Sequence, residues 1–125
     1  MSVQHAPIEL PELSLQLLPL QQVAAELRQE KPYPTSGKNA RSLVRGPGLT
    51  VVLVALEQGR QLQEHPAPGP AVLTVLEGRI EFRGPGGQPC CQVNAGQSLA
   101  FAADLPHAVE ALEDALFQLA IGCRA

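Results

Sequence analysis

The sequence has few aromatic residues, no excess of positive charge and no long apolar run, and each shortage excludes a class of function. It contains no tryptophan, one tyrosine and three phenylalanines in 125 residues, so rings on which bases could stack are scarce. Its formal net charge is -3, whereas a nucleic-acid-binding surface needs a basic stripe. No apolar run approaches the roughly 20 residues that span a membrane. Neither nucleic acid nor a membrane is therefore an expected partner.

Cysteines are also few, and their spacing does not suit a zinc site. There are three, and no Cys-x-x-Cys pair occurs. Cys90 and Cys91 are adjacent, and we expect their thiols to point apart because neighbouring strand residues face opposite ways. We therefore interpret the three cysteines as structural or incidental rather than as redox-active or metal-binding residues. The N-terminal stretch lacks the basic and apolar regions of a signal peptide, so a cytoplasmic location is the default expectation.

What the sequence does contain is a pattern of short strands with one helix. About eight or nine short apolar segments at regular spacing are typical of an all-β sandwich or barrel. A strand is predicted at residues 8–18, where leucines alternate with polar residues. A short amphipathic helix is predicted from Leu20 to Leu27, where apolar residues recur at helical spacing, and Pro32 ends it. Residues 33–39 are predicted to be a loop.

The segment Leu49–Leu56 is apolar without alternation, so both of its faces must be covered. In an antiparallel fold one face normally belongs to the core. The other face then needs a second sheet, the helix or another subunit.

Two stretches with glycines and a histidine are the strongest motif signal. In the first, Gly59, His65 and Gly78 fit the spacing G-x5-H-x-H-x3-E-x6-G. In the second, Gly96 and His107 fit the spacing G-x5-P-x-G-x2-H-x3-N. These are the two cupin motifs, and the chain resembles that family from about residue 43 to residue 121.

Several positions depart from the cupin pattern. Ala67 and Ala71 stand where the family usually has its second histidine and its glutamate. In the second motif, Ala102, Asp104 and Ala111 stand where proline, glycine and asparagine are usual. The resemblance therefore implies a small single-domain cupin of which two of the four usual metal ligands are missing.

The resemblance also selects the fold, because the strand pattern alone leaves an immunoglobulin-like sandwich open. It implies an all-β double-stranded β-helix, the jelly-roll or cupin barrel, with one short N-terminal helix. On this prediction residues 1–36 are a strand and a helix that pack on the barrel, and residues 37–125 are the barrel domain.

The resemblance implies a pocket inside the barrel near His65 and His107. Gln63 shares the face of His65 by alternation, whereas Glu64 and Glu110 alternate away from the histidines, so no good third protein ligand for a metal is visible. The residues expected to line the pocket are His65, His107, Gln63, Ala67, Ala71, Leu73, Val75 and Val109.

Three interpretations of the histidine pair stay open. In the first, both residues are neutral polar groups that line an apolar pocket. In the second, they hold one divalent transition metal (Zn, Ni, Fe or Mn) weakly, and solvent completes its coordination shell. In the third, one of them acts as an acid–base catalyst without a metal. The missing ligands favour a small-molecule-binding cupin, and the alternative is a metal-dependent enzyme of the dioxygenase or isomerase type. A homodimer is also expected, with an apolar interface formed by Leu49–Leu56, by the N-terminal leucines, or by both.

Overall fold

The structure, a computed structural model, describes residue 10 and residues 13–123, except for the side chains of residues 64 and 65. Nine strands, two α-helices and a short 3₁₀ turn (Pro85–Gly87) occur in this part of the chain. In chain order they are α1 (Leu20–Gln29), α2 (Pro32–Ser36), β1 (Lys38–Arg45), β2 (Leu49–Leu56), β3 (Gln61–His65), β4 (Ala71–Glu77), β5 (Arg79–Arg83), β6 (Pro89–Asn94), β7 (Ser98–Phe101), β8 (His107–Ala111) and β9 (Ala115–Gly122).

The strands form two antiparallel sheets that face each other. One sheet has the order β1-β2-β9-β4-β7 and the other has the order β3-β8-β5-β6. Between them lies an apolar core whose fully buried side chains include Leu73, Ile80, Phe82 and Phe117. The prediction of an all-β fold is confirmed, but the predicted closed barrel is not found. Within the described residues, side chains and loops link the two sheets, and no ladder of backbone hydrogen bonds does so, so the architecture is an open sandwich.

The glycines of the two motifs lie at turns that need a left-handed backbone. Gly59, Gly78 and Gly96 have φ values of 85°, 78° and 87°. Glycine adopts such values without the steric penalty of a Cβ atom. Asp104, which stands where the family usually has glycine, also has a positive φ, 65°. Aspartate tolerates this conformation better than most residues, so the turn is kept despite the substitution.

The predicted helix is confirmed, and it packs on the outer face of the five-stranded sheet. Val23, Ala24 and Leu27 of α1 are buried against β1, β2 and β9. This contact explains the uninterrupted apolar run of β2. One face of β2 contributes Val54 and Leu56 to the core between the sheets, and the other face lies under the helix. Neither described helix is long and apolar enough to cross a membrane.

Two local predictions near the N-terminus are wrong. Residues 13–19 form no strand, although part of the predicted strand lies outside the described residues. Leu13, Leu15 and Leu17 are exposed by 104%, 91% and 83%, so their alternation is not matched by burial in this chain. The predicted loop at residues 33–39 contains most of α2 and the start of β1, because Pro32 begins a helical turn that Gly37 ends in a left-handed conformation.

Four strands, β1, β3, β4 and β6, each carry an extra residue that breaks the side-chain alternation, and the bulges in β3 and β6 bear on the predicted site and on the cysteines. Between Leu62 and His65, β3 has one residue more than the opposing part of β8. On β6, Cys91 lies opposite Phe82 and the next pairing skips Cys90, so Cys90 is the extra residue. Such a β-bulge shifts every later side chain relative to the simple alternating pattern. Predictions that relied on alternation at these two places therefore need correction.

Candidate functional site

His107 is the one polar side chain among the described residues that is buried in the core. It begins β8 and is only 2% exposed. Its Nδ1 atom lies 2.9 Å from the carbonyl oxygen of Leu105. A carbonyl oxygen only accepts hydrogen bonds, so a neutral His107 carries its proton on Nδ1 and its lone pair on Nε2. Nε2 is thus the ring nitrogen that accepts hydrogen bonds or binds a metal.

Two phenylalanines hold the imidazole ring of His107 from different directions. The ring of Phe82 is stacked on it, with centroids 5.3 Å apart and an angle of 8° between the planes. The ring of Phe101 is tilted by 53° at a centroid distance of 4.7 Å. Phe82 belongs to the four-stranded sheet and Phe101 to the five-stranded sheet, so the cluster joins the two layers. We call these three residues the aromatic cluster.

The backbone register brings the two motif histidines together. Residue 65, the last of β3, lies directly opposite His107 in the antiparallel pairing of β3 with β8. Facing residues of an antiparallel pair have Cβ atoms roughly 5 Å apart. The pairing of β3 with β8 therefore brings the backbones of the two predicted site residues together. The side chain of residue 65 is not among those that the structure describes.

Most of the other predicted pocket residues are buried, but one is not. Gln63 is exposed, contrary to the expectation that it faces inward, and the bulge between Leu62 and His65 breaks the alternation on which that expectation was based. The remaining predicted residues belong to the apolar core between the sheets: Ala67, Ala71, Leu73, Val75 and Val109.

Two loops meet at the end of the sandwich beside His107. The β3–β4 loop and the β7–β8 loop are joined by a backbone hydrogen bond of 2.9 Å from the Asp104 N–H to the Ala67 carbonyl. Leu105 and Pro106, which precede His107 in the second loop, are half-buried. The imidazole therefore lies just below the surface at this loop-lined end, and the core continues beneath it.

A metal centre with a full set of protein ligands does not fit these residues. Ala67 and Ala71, at the positions of the usual second histidine and glutamate, are each 4% exposed and bring no ligand atom. The described part of the chain contains no group of three His, Cys, Asp or Glu residues placed to hold a metal ion. One feature does suit a metal ligand, because a metal-bound histidine usually donates its other ring N–H to an acceptor such as the Leu105 carbonyl.

Phe82 and Phe101 were not identified as site residues from the sequence. For Phe82 a signal existed, since Arg79–Arg83 alternates strictly and places Ile80 and Phe82 on its apolar face. For Phe101 no sequence signal was available, because it approaches His107 from the opposite sheet.

The comparison with known families agrees with the fold and with the positions of the motifs. A sequence model of the cupin domain matches residues 52–121, which is more than half of the chain. This match includes both histidines and all the motif glycines. The chain therefore belongs to the cupin family.

Solved structures support the same conclusion. The chain is 25% identical to a conserved protein of unknown function from Streptococcus pyogenes, with a TM-score of 0.71 over 97% of this chain and 99% of that one. It is 31% identical to a Cupin 2 conserved barrel domain protein from Leptotrichia buccalis, with a TM-score of 0.64 over 70% of this chain and 42% of that one. A cupin superfamily protein from Desulfitobacterium hafniense shares the fold, with a TM-score of 0.70 at 15% identity, over 96% of this chain and all of that one (100%). Among curated proteins, none matches this sequence.

Proposed function

We propose that this cupin binds a small, apolar or weakly polar molecule at the loop-lined end of the sandwich, next to His65 and His107. The observation that carries the proposal is the buried imidazole of His107, held between Phe82 and Phe101. A binding site for such a ligand is typically an apolar surface with a small number of oriented polar groups. The aromatic cluster, whose residues are at most 9% exposed, supplies the apolar groups that line the proposed site from below, and the Leu105 carbonyl orients the polar group.

The oriented ring nitrogen narrows the chemical class of the ligand. Because Nδ1 is paired with a carbonyl, Nε2 acts as a hydrogen-bond acceptor in the neutral ring. An acceptor in apolar surroundings recognises a ligand that combines a flat apolar body with a hydroxyl or N–H donor. Phenol and indole have this combination and are suitable probes.

The proposal is tested by titrating phenol and indole into uniformly ¹⁵N-labelled protein and following the backbone amide shifts. We expect saturable shifts at residues of the aromatic cluster and at Leu105. His107→Phe keeps a ring but removes the nitrogens, and it should weaken binding about fivefold, since one hydrogen bond contributes about 1 kcal/mol.

Val93→Ala is the matched control for that titration. It truncates a core side chain of β6 that takes no part in the aromatic cluster, so binding should stay within a factor of two or so of wild type. Shifts that map to another surface, or equal affinities of wild type and His107→Phe, would reject the proposal.

A second candidate function is a metal-dependent reaction of the dioxygenase or isomerase type. The bond from Nδ1 to the Leu105 carbonyl favours it, because a metal-bound histidine usually donates its other ring N–H to such an acceptor. With only His65 and His107 as protein ligands, a divalent Zn, Ni, Fe or Mn ion would be weakly held and completed by solvent.

The metal candidate is tested by measuring metal content after dialysis against each of the four ions and again after EDTA. We expect bound metal to be lost to EDTA while the protein stays folded, and His107→Ala should not rebind it. Stoichiometric metal that survives EDTA would require a third protein ligand and would contradict the two-histidine site.

We further propose that the chain forms a homodimer, and the structure reduces the number of segments that could form its interface. Most of β2 lies under α1 or inside the sandwich, so it offers little surface to a second copy. In the part of the chain that the structure describes, two apolar surfaces stay exposed. One is Leu13, Leu15 and Leu17, and the other is a shallow groove of about 610 Å³ on the outer face of the five-stranded sheet.

The N-terminal leucines of one copy are the proposed occupant of the groove of the other. The groove is lined by small and apolar residues, among them Val72, Ala100 and Ala120, and Val72 is 42% exposed. It lies at the side of the sheet that ends in the edge strand β7, next to the part that α1 covers. Residues 13–17 form no strand in the free chain, and on docking they would become extended, so that leucines with a period of two match the pleat of such a surface.

Light scattering during size exclusion tests the homodimer. We expect a dimer at micromolar concentration for wild type and a monomer for the triple variant Leu13→Ser, Leu15→Ser, Leu17→Ser. Val72→Lys in the groove should have the same effect. A wild-type monomer would contradict the proposal, as would a dimer that persists in both variants.

A further inference from the structure

The adjacent cysteines lie at the edge of the four-stranded sheet, where Cys91 is paired with Phe82 of the aromatic cluster. Their strand, β6, pairs only with β5 and is therefore an edge strand. Cys90 is exposed, and Cys91 is half-buried and packs against the core opposite Phe82. Both thiols are free.

The bulge at Cys90 places the two thiols together, contrary to the expectation that they point apart. In a regular strand, neighbouring side chains project to opposite faces. Here the pairing passes from Cys91 opposite Phe82 directly to Pro89 opposite Arg83, so Cys90 has no opposing residue of its own. Burial raises the pKa of the Cys91 thiol, and the neighbouring Cys90 thiol raises it further, which indicates that the two side chains lie close together.

We propose that Cys90 and Cys91 form a dithiol site that chelates a soft, thiophilic electrophile of the trivalent-arsenical type. Sulfur ligands select soft partners over hard ones. Two sulfurs are too few for a structural zinc site, which takes four protein ligands. They are, however, sufficient for a mono-organic arsenical, which has two exchangeable oxygen positions.

The reaction balances without an oxidant. A hydrated arsenical, R–As(OH)₂, exchanges both hydroxyls for the two sulfurs, so two As–O bonds break and two As–S bonds form. The two thiol protons leave with the hydroxyls as two molecules of water. No atom changes its oxidation state, and the product is a neutral ring that contains the arsenic atom and both sulfurs.

Chelation fits this pair better than oxidation to a disulfide. The described peptide bonds are all trans, and consecutive Cα atoms across a trans bond are about 3.8 Å apart. Disulfides usually join Cα atoms that are about 4.4–6.8 Å apart, so a bond between adjacent cysteines is strained. A bridging arsenic atom lengthens the link between the sulfurs and relieves that strain.

The surroundings of Cys91 also favour a neutral product. Burial, followed by the nearby Cys90 thiol, raises the pKa of the Cys91 thiol. The same burial disfavours any complex that keeps a charged thiolate there. A neutral dithioarsenite carries no such charge.

The test is titration of the reduced protein with phenylarsine oxide, followed by intact-protein mass spectrometry in the presence of excess 2-mercaptoethanol. We expect one arsenical per chain, which the monothiol does not displace and which dithiothreitol removes. Cys90→Ser should bind about 100-fold more weakly, because a second linked ligand group raises affinity by at least that factor. Cys90 is exposed, so this variant should keep the fold.

Cys123→Ser is the matched control. Its thiol follows β9 of the other sheet, where it donates to the Pro47 carbonyl, and its removal should leave binding unchanged. Cys91→Ala should match Cys90→Ser. Wild-type affinity in Cys90→Ser, loss of binding in Cys123→Ser, or removal of the arsenical from wild type by the monothiol would each overturn the dithiol site.

Discussion

Replacing Gly78 by alanine is predicted to destabilise the protein far more than the same change at Gly96. Both are motif glycines at turns, with φ values of 78° and 87°. An L-residue in the left-handed region costs about 1–2 kcal/mol, and this part should be similar in the two variants. The two positions differ in the space around the new Cβ atom.

At Gly78, an added Cβ atom would stand 2.2 Å from the carbonyl oxygen of Asp114, whereas real Cβ atoms essentially never come closer than 3.0 Å to another atom. The contact is with backbone, so the β4–β5 turn and the β8–β9 connection must move apart. Such overpacking costs about 1–3 kcal/mol. At Gly96, nothing lies within 4 Å of the added atom.

We therefore expect Gly78→Ala to lower the free energy of unfolding by about 2–5 kcal/mol and Gly96→Ala by about 1–2 kcal/mol. Urea unfolding followed by circular dichroism measures both values, and an unchanged m-value shows that the same surface is exposed. Equal losses in the two variants would refute the predicted contact between the Gly78 turn and Asp114.

Three further outcomes are expected from other parts of the fold. Leu27→Ala should lower the free energy of unfolding by about 2–5 kcal/mol in urea, because this fully buried side chain joins α1 to the sheet. Arg41→Ala should cost about 1–2 kcal/mol, since Arg41 contacts Glu26 at 2.7 Å and Glu30 at 2.9 Å, and 1 M NaCl should reduce the difference. With the other two cysteines changed to serine, Cys91 should react with iodoacetamide at pH 8 more slowly in the folded than in the urea-unfolded chain, because burial raises its pKa; equal rates measured by mass spectrometry would contradict this.

The sequence was sufficient to predict a helix or strand where the spacing of its apolar residues coincides with their burial within the same chain. The helix is one example, since Val23, Ala24 and Leu27 recur at helical spacing and all three are buried. The strand Arg79–Arg83 is another, because its alternation separates an apolar inward face from a charged outward face. The motif glycines were identified by spacing, and the structure adds the reason, which is their positive φ.

The sequence was insufficient where one residue changes the register. The extra residue between Leu62 and His65 explains why Gln63 is exposed rather than part of a pocket. The extra residue Cys90 brings together two thiols that alternation would separate. A bulge leaves no mark on the hydrophobic pattern, because it depends on the pairing with the neighbouring strand.

Contacts between the two sheets were equally beyond the reach of the sequence. Phe101 approaches His107 from a different layer, so no spacing along the chain relates the two residues. The alternating leucines at residues 13–17 illustrate the converse case. They have the period of a strand, but a strand also needs a partner, and the chain does not supply one for the described part of this segment.

A crystal structure of protein soaked with phenol, with anomalous data collected above the zinc edge, tests the site most directly. We expect a phenol molecule in contact with the His107 ring at the loop-lined end, and no metal held by three or more protein atoms. Phenol bound only outside this end, or a fully occupied metal ligated by His107 together with two further protein side chains, would contradict the small-molecule-binding function.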